Sequence, residues 1–98
     1  MTPDVHYSRS AERDLEEIAA FTLEKWGEEQ AHRYVGGLRR VCRLIAERSM
    51  LGRPAVASRP TWRRIEHESH IILYSPNRSG ITIQRIFHKS RLLPSVIR

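Results

Sequence analysis

The spacing of apolar residues changes once along this chain, and that change limits the fold more than any other feature. Between residues 28 and 47 the apolar residues recur every three or four positions, which is the period of an amphipathic helix. This stripe consists of Ala31, Tyr34, Val35, Leu38, Val41, Cys42 and Ile45. After residue 61 the apolar residues form three short runs instead, which is typical of strands. Helices followed by strands in one short chain predict an α+β fold.

A first helix is predicted before this one, and a short strand at residues 5–7 precedes both. Ser8 or Ser10 can cap the first helix, and Gly27 can end it. Its apolar positions are Ala11, Leu15, Ile18, Ala19 and Trp26. Two amphipathic helices with a short connection form an antiparallel hairpin whose apolar stripes face one covering surface. Gly36 and Gly37 interrupt the second helix, and each destabilises a helix interior by about 1 kcal/mol relative to alanine. Something should compensate for this cost, and the first helix is expected to approach closely there.

The three later runs, at residues 62–67, 70–75 and 80–88, predict the covering sheet. The short polar segments between them suit hairpin turns, so the runs should form an antiparallel meander. Together with the N-terminal strand they give a mainly antiparallel sheet with the helical hairpin on one face and the other face open. Residues 49–61 show no period and are predicted as a loop. Residues 89–98 are predicted to be irregular or to cover an edge.

The last run contains a conflict in its alternation. Ile81 and Ile83 point to one face, but strict alternation would then put Arg85 on that face and Ile86 on the other. A bulge near Gln84 would resolve the conflict, since a bulge shifts the alternation by one residue.

Length and composition limit the class of protein. A chain of 98 residues predicts a single domain, residues 1–98. The longest apolar run is far shorter than the roughly 20 residues that span a bilayer, and the N-terminus does not resemble a signal sequence. We therefore expect a cytoplasmic protein without membrane contact. Cys42 is the single cysteine and is expected to be a buried structural thiol.

The charge is divided unevenly between the two halves. Residues 1–47 hold 7 Lys/Arg and 9 Asp/Glu, a net charge of −2, whereas residues 48–98 hold 10 and 2, a net charge of +8. A basic half attracts nucleic acid, an acidic protein partner or both. Simple solubility is the alternative interpretation.

The usual catalytic and metal-binding motifs do not occur. His67 and His70 lack the cysteines or paired carboxylates of a metal site, so no metal or cofactor is expected. The remaining candidates are basic: Arg53, Arg59, Arg63, Arg64, Arg85, Lys89 and Arg91, interleaved with His67, His70 and His88. Such a set could bind phosphates, and a histidine among arginines could transfer a proton in metal-free RNA cleavage. Few aromatic residues are available for base stacking, so single-strand binding is not favoured.

Several short strings, in this order, resemble the ParE branch of the RelE/ParE toxin superfamily. They are Ser8, Ala11, Asp14, Leu15 and Ile18; Trp26-Gly27; Gln30-Ala31; Tyr34 and Leu38; Leu51-Gly52-Arg53; Arg63-Arg64; residues 70–74; residues 80–83; and residues 85–88. The resemblance extends from Tyr7 to Pro94. It implies the α+β fold described above and the toxin of a type II toxin-antitoxin module, neutralised by a cognate antitoxin.

The resemblance also separates two activities that share this fold. ParE-like members inhibit DNA gyrase without a catalytic site of their own, whereas RelE-like members cleave messenger RNA on the ribosome. Many ribonuclease members carry a catalytic arginine at the strand position of Ile71. The resemblance therefore favours gyrase inhibition.

Each hypothesis names its own residues. For a gyrase inhibitor, the candidates for target binding are Arg85, His88, Lys89 and Arg91, and those for antitoxin binding are Arg53, Arg63 and Arg64. For a ribonuclease, the catalytic residues would be Arg64, Arg85 and His88. A third hypothesis is a nontoxic co-repressor that binds the antitoxin. For a gyrase inhibitor, direct nucleic-acid binding is possible but not favoured.

Overall fold

The computed structural model describes residues 2–91, which form two helices and a five-stranded sheet. In chain order the elements are β1 (Asp4–Tyr7), α1 (Arg9–Trp26), α2 (Glu28–Glu47), β2 (Arg53–Val56), β3 (Arg59–His67), β4 (His70–Pro76) and β5 (Gly80–His88). The strand order is β1-β5-β4-β3-β2; β1 is parallel to β5, and the other pairs are antiparallel. The predicted α+β fold is confirmed. The predicted edge-covering segment lies outside the described residues from position 92 onward.

Local sequence signals set the helix ends as predicted. The Oγ of Ser8 accepts a hydrogen bond from the backbone N–H of Ala11 at 3.0 Å, which caps α1. Gly27 separates the helices with a φ of 92°, a left-handed value that favours glycine. Within residues 2–91, no helix is long and apolar enough to span a membrane.

The core lies between the helical hairpin and one face of the sheet. Its buried members are Ala11, Leu15, Leu38, Cys42, Ile45, Ala46, Ile72, Tyr74, Ile81, Ile83 and Ile86. Burial raises the pKa of the Cys42 thiol to about 11, so the thiol stays protonated at neutral pH and the prediction of a buried structural cysteine is confirmed. Trp26 was predicted in the buried stripe of α1, but it is 69% exposed. It is the last residue of α1, where the helix ends beside a groove.

The predicted reason for Gly36 and Gly37 is wrong. A Cβ placed on Gly36 would meet nothing within 4 Å, and one on Gly37 would meet only the His67 side chain at 3.6 Å. The first helix therefore does not approach either glycine closely, and no contact within the described residues explains Gly36.

The predicted loop at residues 49–61 contains the edge strand β2 and the beginning of β3. Tertiary contacts hold this segment: the Tyr74 hydroxyl accepts the Gly52 N–H at 2.7 Å and donates to the Ser49 carbonyl at 2.9 Å. Gly52 is required there, because a Cβ would lie 2.7 Å from the Arg64 carbonyl oxygen and from the Tyr74 hydroxyl. Pro54 is tolerated because β2 lies at the sheet edge. The sequence pattern did not predict β2 because these contacts join residues that are distant in sequence.

The predicted bulge at Gln84 is confirmed. Leu73 pairs with Arg85 and Tyr74 pairs with Ile83, which leaves Gln84 without a partner on β4. Ile83 and Ile86 therefore both reach the helix-side core, while Phe87 joins a second cluster with Ile71 and Leu73. We call the side of the sheet that carries this cluster the second face. The partly buried apolar residues that pack against this cluster, Ala55 and Trp62, lie on β2 and β3 and not on the helices.

Candidate functional site

The N-terminal part of α1 completes the edge of β5 where β1 ends. The last β1 partner on β5 is Ile83. Beyond it, Ser8 donates from its backbone N–H to the Ile83 carbonyl at 3.0 Å and from its Oγ to the Gln84 carbonyl at 2.9 Å. Asp14 Oδ2 then accepts the buried Ile86 N–H at 2.8 Å. Ser8, the N-cap of α1, and the Asp14 side chain thus take the place of a neighbouring strand.

Asp14 also holds Arg85, one of the predicted site residues. The Arg85 Nε lies 2.8 Å from Asp14 Oδ2, and its Nη2 lies 3.1 Å from Oδ1. The Asp14 side chain is 8% exposed and that of Arg85 is 23% exposed. Hydrogen bonding to Asp14 is the main cause that raises the pKa of Arg85. No local sequence signal indicates that Asp14 has a partner 71 residues away.

A groove of about 530 Å³ runs between the C-terminal half of α1 and the adjoining ends of β4 and β5. Its lining includes Ile18, Phe21, Thr22 and Trp26 of α1, Tyr34 of α2, and His70, Ile86, Phe87 and His88 of the sheet. Phe21 is 60% exposed and Trp26 is 69% exposed. Large apolar side chains exposed along a groove are typical of a protein-binding site. We call this feature the α1 groove.

Three histidines form a row across the sheet beside the α1 groove. His67 pairs with His70, and His70 pairs with His88, on three neighbouring strands. The Tyr34 hydroxyl and His70 Nδ1 are 2.5 Å apart, and the ring centroids of His70 and His88 are 5.6 Å apart. In the part of the chain that the structure describes, no group of three or more potential ligands could hold a metal.

The lowered pKa of His70 predicts that the free energy of unfolding depends on pH. Burial is the main cause that lowers the pKa of His70, and the neighbouring His88 lowers it further. Because the folded-state pKa lies below the unfolded value of about 6.5, the native state binds fewer protons in the interval between the two values. We expect the free energy of unfolding to be constant above this interval, to fall as the pH drops through it, and to level off below the folded-state pKa.

Urea unfolding of the wild type and of His70→Gln between about pH 8 and pH 5 measures this dependence. The His70→Gln protein should lose less stability over that range than the wild type. His32→Gln is the matched control, because His32 is an exposed residue on α2. Parallel pH profiles for the wild type and His70→Gln would contradict the assignment.

The structure brings part of the predicted target-binding set together. His88 and Arg91 both line the α1 groove. Lys89 lies 3.6 Å from the Glu66 carboxylate, and both side chains are half exposed. Arg85 is engaged by Asp14, so the four residues do not form one cationic surface.

The predicted antitoxin-binding set is divided between two faces. Arg53 and Arg64 are directly opposite each other on β2 and β3, and Arg64 pairs with Leu73 of the second face. Arg63 points the other way and donates to the carbonyls of Gly52 at 2.7 Å and Met50 at 3.3 Å. Arg63 thus holds the loop before β2. Of the ribonuclease set, Arg64 and Arg85 are separated by β4.

The fold also occurs in solved structures of toxin-antitoxin systems. The chain is similar to a chain of the chromosomal ParDE toxin-antitoxin system from Pseudomonas aeruginosa, with a TM-score of 0.76 and 21% identity over 89% of this chain and 96% of that one. It is also similar to a chain of the toxin-antitoxin complex RelBE2 from Mycobacterium tuberculosis, with a TM-score of 0.66 and 16% identity over 91% and 100% of the two chains. At these identities the likeness shows the fold alone.

Sequence similarity is more specific. The chain is 34% identical over 85 residues to Toxin ParE1 of Caulobacter vibrioides, covering 85% of each chain. It is 31% identical over 83 residues to Toxin ParE1 of Mycobacterium tuberculosis, covering 84% of this chain and 85% of that one. Residues 5–93 match the family described as ParE toxin of type II toxin-antitoxin system, parDE. The family match over residues 5–93 and the relatives above 30% identity place this chain in the ParE toxin family of type II toxin-antitoxin systems.

Proposed function

We propose that this toxin inhibits DNA gyrase by binding it, and that a cognate antitoxin neutralises the toxin by covering the α1 groove. Membership of the ParE family supports gyrase over the ribosome as the target. The observation that carries the proposal is the bidentate Asp14–Arg85 pair, because it directs a predicted phosphate-binding group into the protein. The chain is a single domain in this proposal.

The same observations weigh against ribonuclease chemistry. Metal-free RNA cleavage needs cations that stabilise the charge developing on phosphorus and a group that removes the 2′-hydroxyl proton. The side chain at position 71 is an isoleucine, 4% exposed in the second cluster. Arg64 lies on the other side of β4 from Arg85. A binding mechanism requires none of these groups to converge.

The residues proposed to contact gyrase lie at the end of β5. His88, Lys89 and Arg91 are exposed there, with Arg85 behind them against α1. His88 Nδ1 is 2.8 Å from the Ser90 hydroxyl, and the same nitrogen accepts a hydrogen bond from the Ser90 backbone N–H at 3.1 Å. These bonds fix the imidazole at the rim of the α1 groove, so His88 is already ordered for a partner.

The antitoxin is proposed to place an amphipathic helix in the α1 groove. Exposed Phe21 and Trp26 offer the apolar anchors that such a helix needs. Because His88 and Arg91 line the same groove, a helix bound there would also cover residues proposed to contact gyrase. Neutralisation would then result from steric occlusion.

The test is a DNA supercoiling assay with purified gyrase and the full chain. We expect inhibition by the wild type, and an inhibitory concentration about tenfold higher for His88→Ala/Arg91→Ala, which corresponds to about 1.4 kcal/mol of lost binding energy. His32→Ala/Arg33→Ala is the matched control, since both residues are exposed on α2.

Two other outcomes would identify the alternatives. Transcripts that are cleaved by the wild type but not by His88→Ala would support a ribonuclease. Harmless expression in cells that lack the antitoxin, together with full gyrase activity, would support a nontoxic co-repressor.

A further inference from the structure

Two arginines on the second face lie directly opposite each other. Arg53 of β2 is the register partner of Arg64 of β3, and Arg64 is the partner of Leu73 in the second cluster. Register partners on neighbouring strands share a face. Further along β3, the Arg59 guanidinium lies 4.6 Å from the centroid of the Trp62 ring, and Trp62 packs against the same cluster. We call Arg53, Arg59 and Arg64 the arginine strip.

The charge of the arginine strip is not balanced within the described chain. None of its three arginines forms an ion pair with a carboxylate of residues 2–91. The carboxylate of β3, Glu66, lies 3.6 Å from Lys89 instead. Like charges directly opposite each other destabilise a sheet. A bound anion would remove this repulsion.

We propose that the arginine strip binds the phosphate backbone of duplex DNA without sequence preference. The alternative anionic partner, an acidic protein segment, would need apolar anchors beside the charges. The exposed large apolar side chains of the described residues lie elsewhere: Phe21, Leu23, Trp26 and Leu44 are on the helices, and Met50 and Leu51 are in the loop before β2.

That loop belongs to the helix side of the sheet. Gly52 and Ser49 are bonded to the Tyr74 hydroxyl, and Tyr74 is part of the helix-side core. Among the described residues, the arginine strip therefore presents charge without an exposed large apolar side chain beside it. A polar, strongly positive surface of this kind is typical of protein–DNA interfaces.

A duplex fits the strip better than a single strand. Single-strand binding relies on aromatic faces on which bases stack. Trp62, the aromatic residue beside the strip, has the Arg59 guanidinium over its ring. Stacking on Trp62 also orders that guanidinium, which lowers the entropy lost when it binds a phosphate. Since the strip offers charge and no base-stacking surface, binding should depend on salt and not on base sequence.

This proposal rests neither on gyrase as the target nor on the α1 groove as the antitoxin site. Arg53 and Arg64 lie on the second face, and the Arg59 guanidinium reaches that face over the Trp62 ring, whereas the groove lies beside α1. DNA binding by the isolated toxin can therefore succeed or fail whatever the supercoiling assay shows.

The test is fluorescence anisotropy of a labelled, mixed-sequence DNA duplex titrated with the full-length toxin at several salt concentrations. Three phosphate contacts predict that log K falls with log salt with a slope of about −2.7, at about −0.9 per contact. Arg53→Gln/Arg64→Gln should reduce that slope by about 2 and weaken binding roughly tenfold to sixtyfold near 0.1 M salt. Arg53→Lys/Arg64→Lys keeps both charges and should retain most of the affinity.

The matched control is Arg40→Gln/Arg43→Gln, which removes the same charge from exposed positions of α2. It should leave the slope close to that of the wild type. Equal losses in the two glutamine variants would overturn the proposal in favour of general charge attraction. Absence of duplex binding at low salt, or tighter binding of a single-stranded RNA than of the duplex, would also overturn it. So would a strip variant that loses affinity for the antitoxin and none for DNA.

Discussion

Asp14→Ala should lower the free energy of unfolding by about 3 kcal/mol. Removing one partner of a buried ion pair costs about 3–5 kcal/mol, and the partial exposure of Arg85 places this case at the lower end. The substitution also leaves the buried Ile86 N–H without its acceptor, which by itself costs about 1–3 kcal/mol. These losses overlap, since they share one carboxylate. In thermal unfolding, the midpoint should fall by about 12–24 °C.

Two variants make this measurement specific. Glu29→Ala breaks the ion pair between Glu29 and Arg33, whose N–O distance of 3.0 Å is similar to that of the Asp14–Arg85 pair. The Arg33 and Glu29 side chains, however, are 68% and 89% exposed. This substitution should cost no more than about 0.5 kcal/mol. Asp14→Asn keeps an acceptor for the Ile86 N–H and loses the charge, so its stability should fall between the wild type and Asp14→Ala. An Asp14→Ala protein as stable as Glu29→Ala would show that the pair does not hold α1 on β5.

Phe21→Ala/Trp26→Ala should weaken binding of the cognate antitoxin by about a hundredfold or more. Central aromatic anchors of an interface typically contribute 2 kcal/mol or more each, and a loss of about 2.8 kcal/mol is a hundredfold change. Both side chains are largely exposed in the free toxin, so their truncation should change the free energy of unfolding little. Isothermal titration calorimetry with the antitoxin measures the affinity, and urea unfolding measures the stability.

The chain contains a closely matched control for this prediction. Leu23 and Leu44 are 52% and 55% exposed, lie on the same helical hairpin, and do not line the α1 groove. Leu23→Ala/Leu44→Ala should keep wild-type affinity. If both double variants lose affinity equally, the antitoxin covers the outer surface of the hairpin and the groove assignment is wrong. If neither does, the antitoxin binds another surface.

Residue types alone indicated the basic, histidine-containing C-terminal half, and the structure adds Phe21 and Trp26 of α1 to the candidate site. Residue types did not distinguish Arg63 from Arg64, because the two arginines are adjacent in sequence and have the same side chain. Only the structure shows that Arg63 donates to the carbonyls of Gly52 and Met50. Neighbouring strand residues point to opposite faces, so two identical residues received different roles. Asp14 was missed as a partner for Arg85 because α1 and β5 meet only in the folded chain.

The sequence by itself determined the elements whose causes are local. The helical period, the Ser8 cap and Gly27 predict α1 and α2, and the broken alternation around Gln84 predicts the bulge. These signals act within a few residues and therefore survive in a single sequence. Tertiary structure decided the rest: the edge strand β2, the exposure of Trp26, the Asp14–Arg85 pair and the opposition of Arg53 and Arg64. Each depends on which distant segment lies alongside, and packing across the whole domain settles that choice.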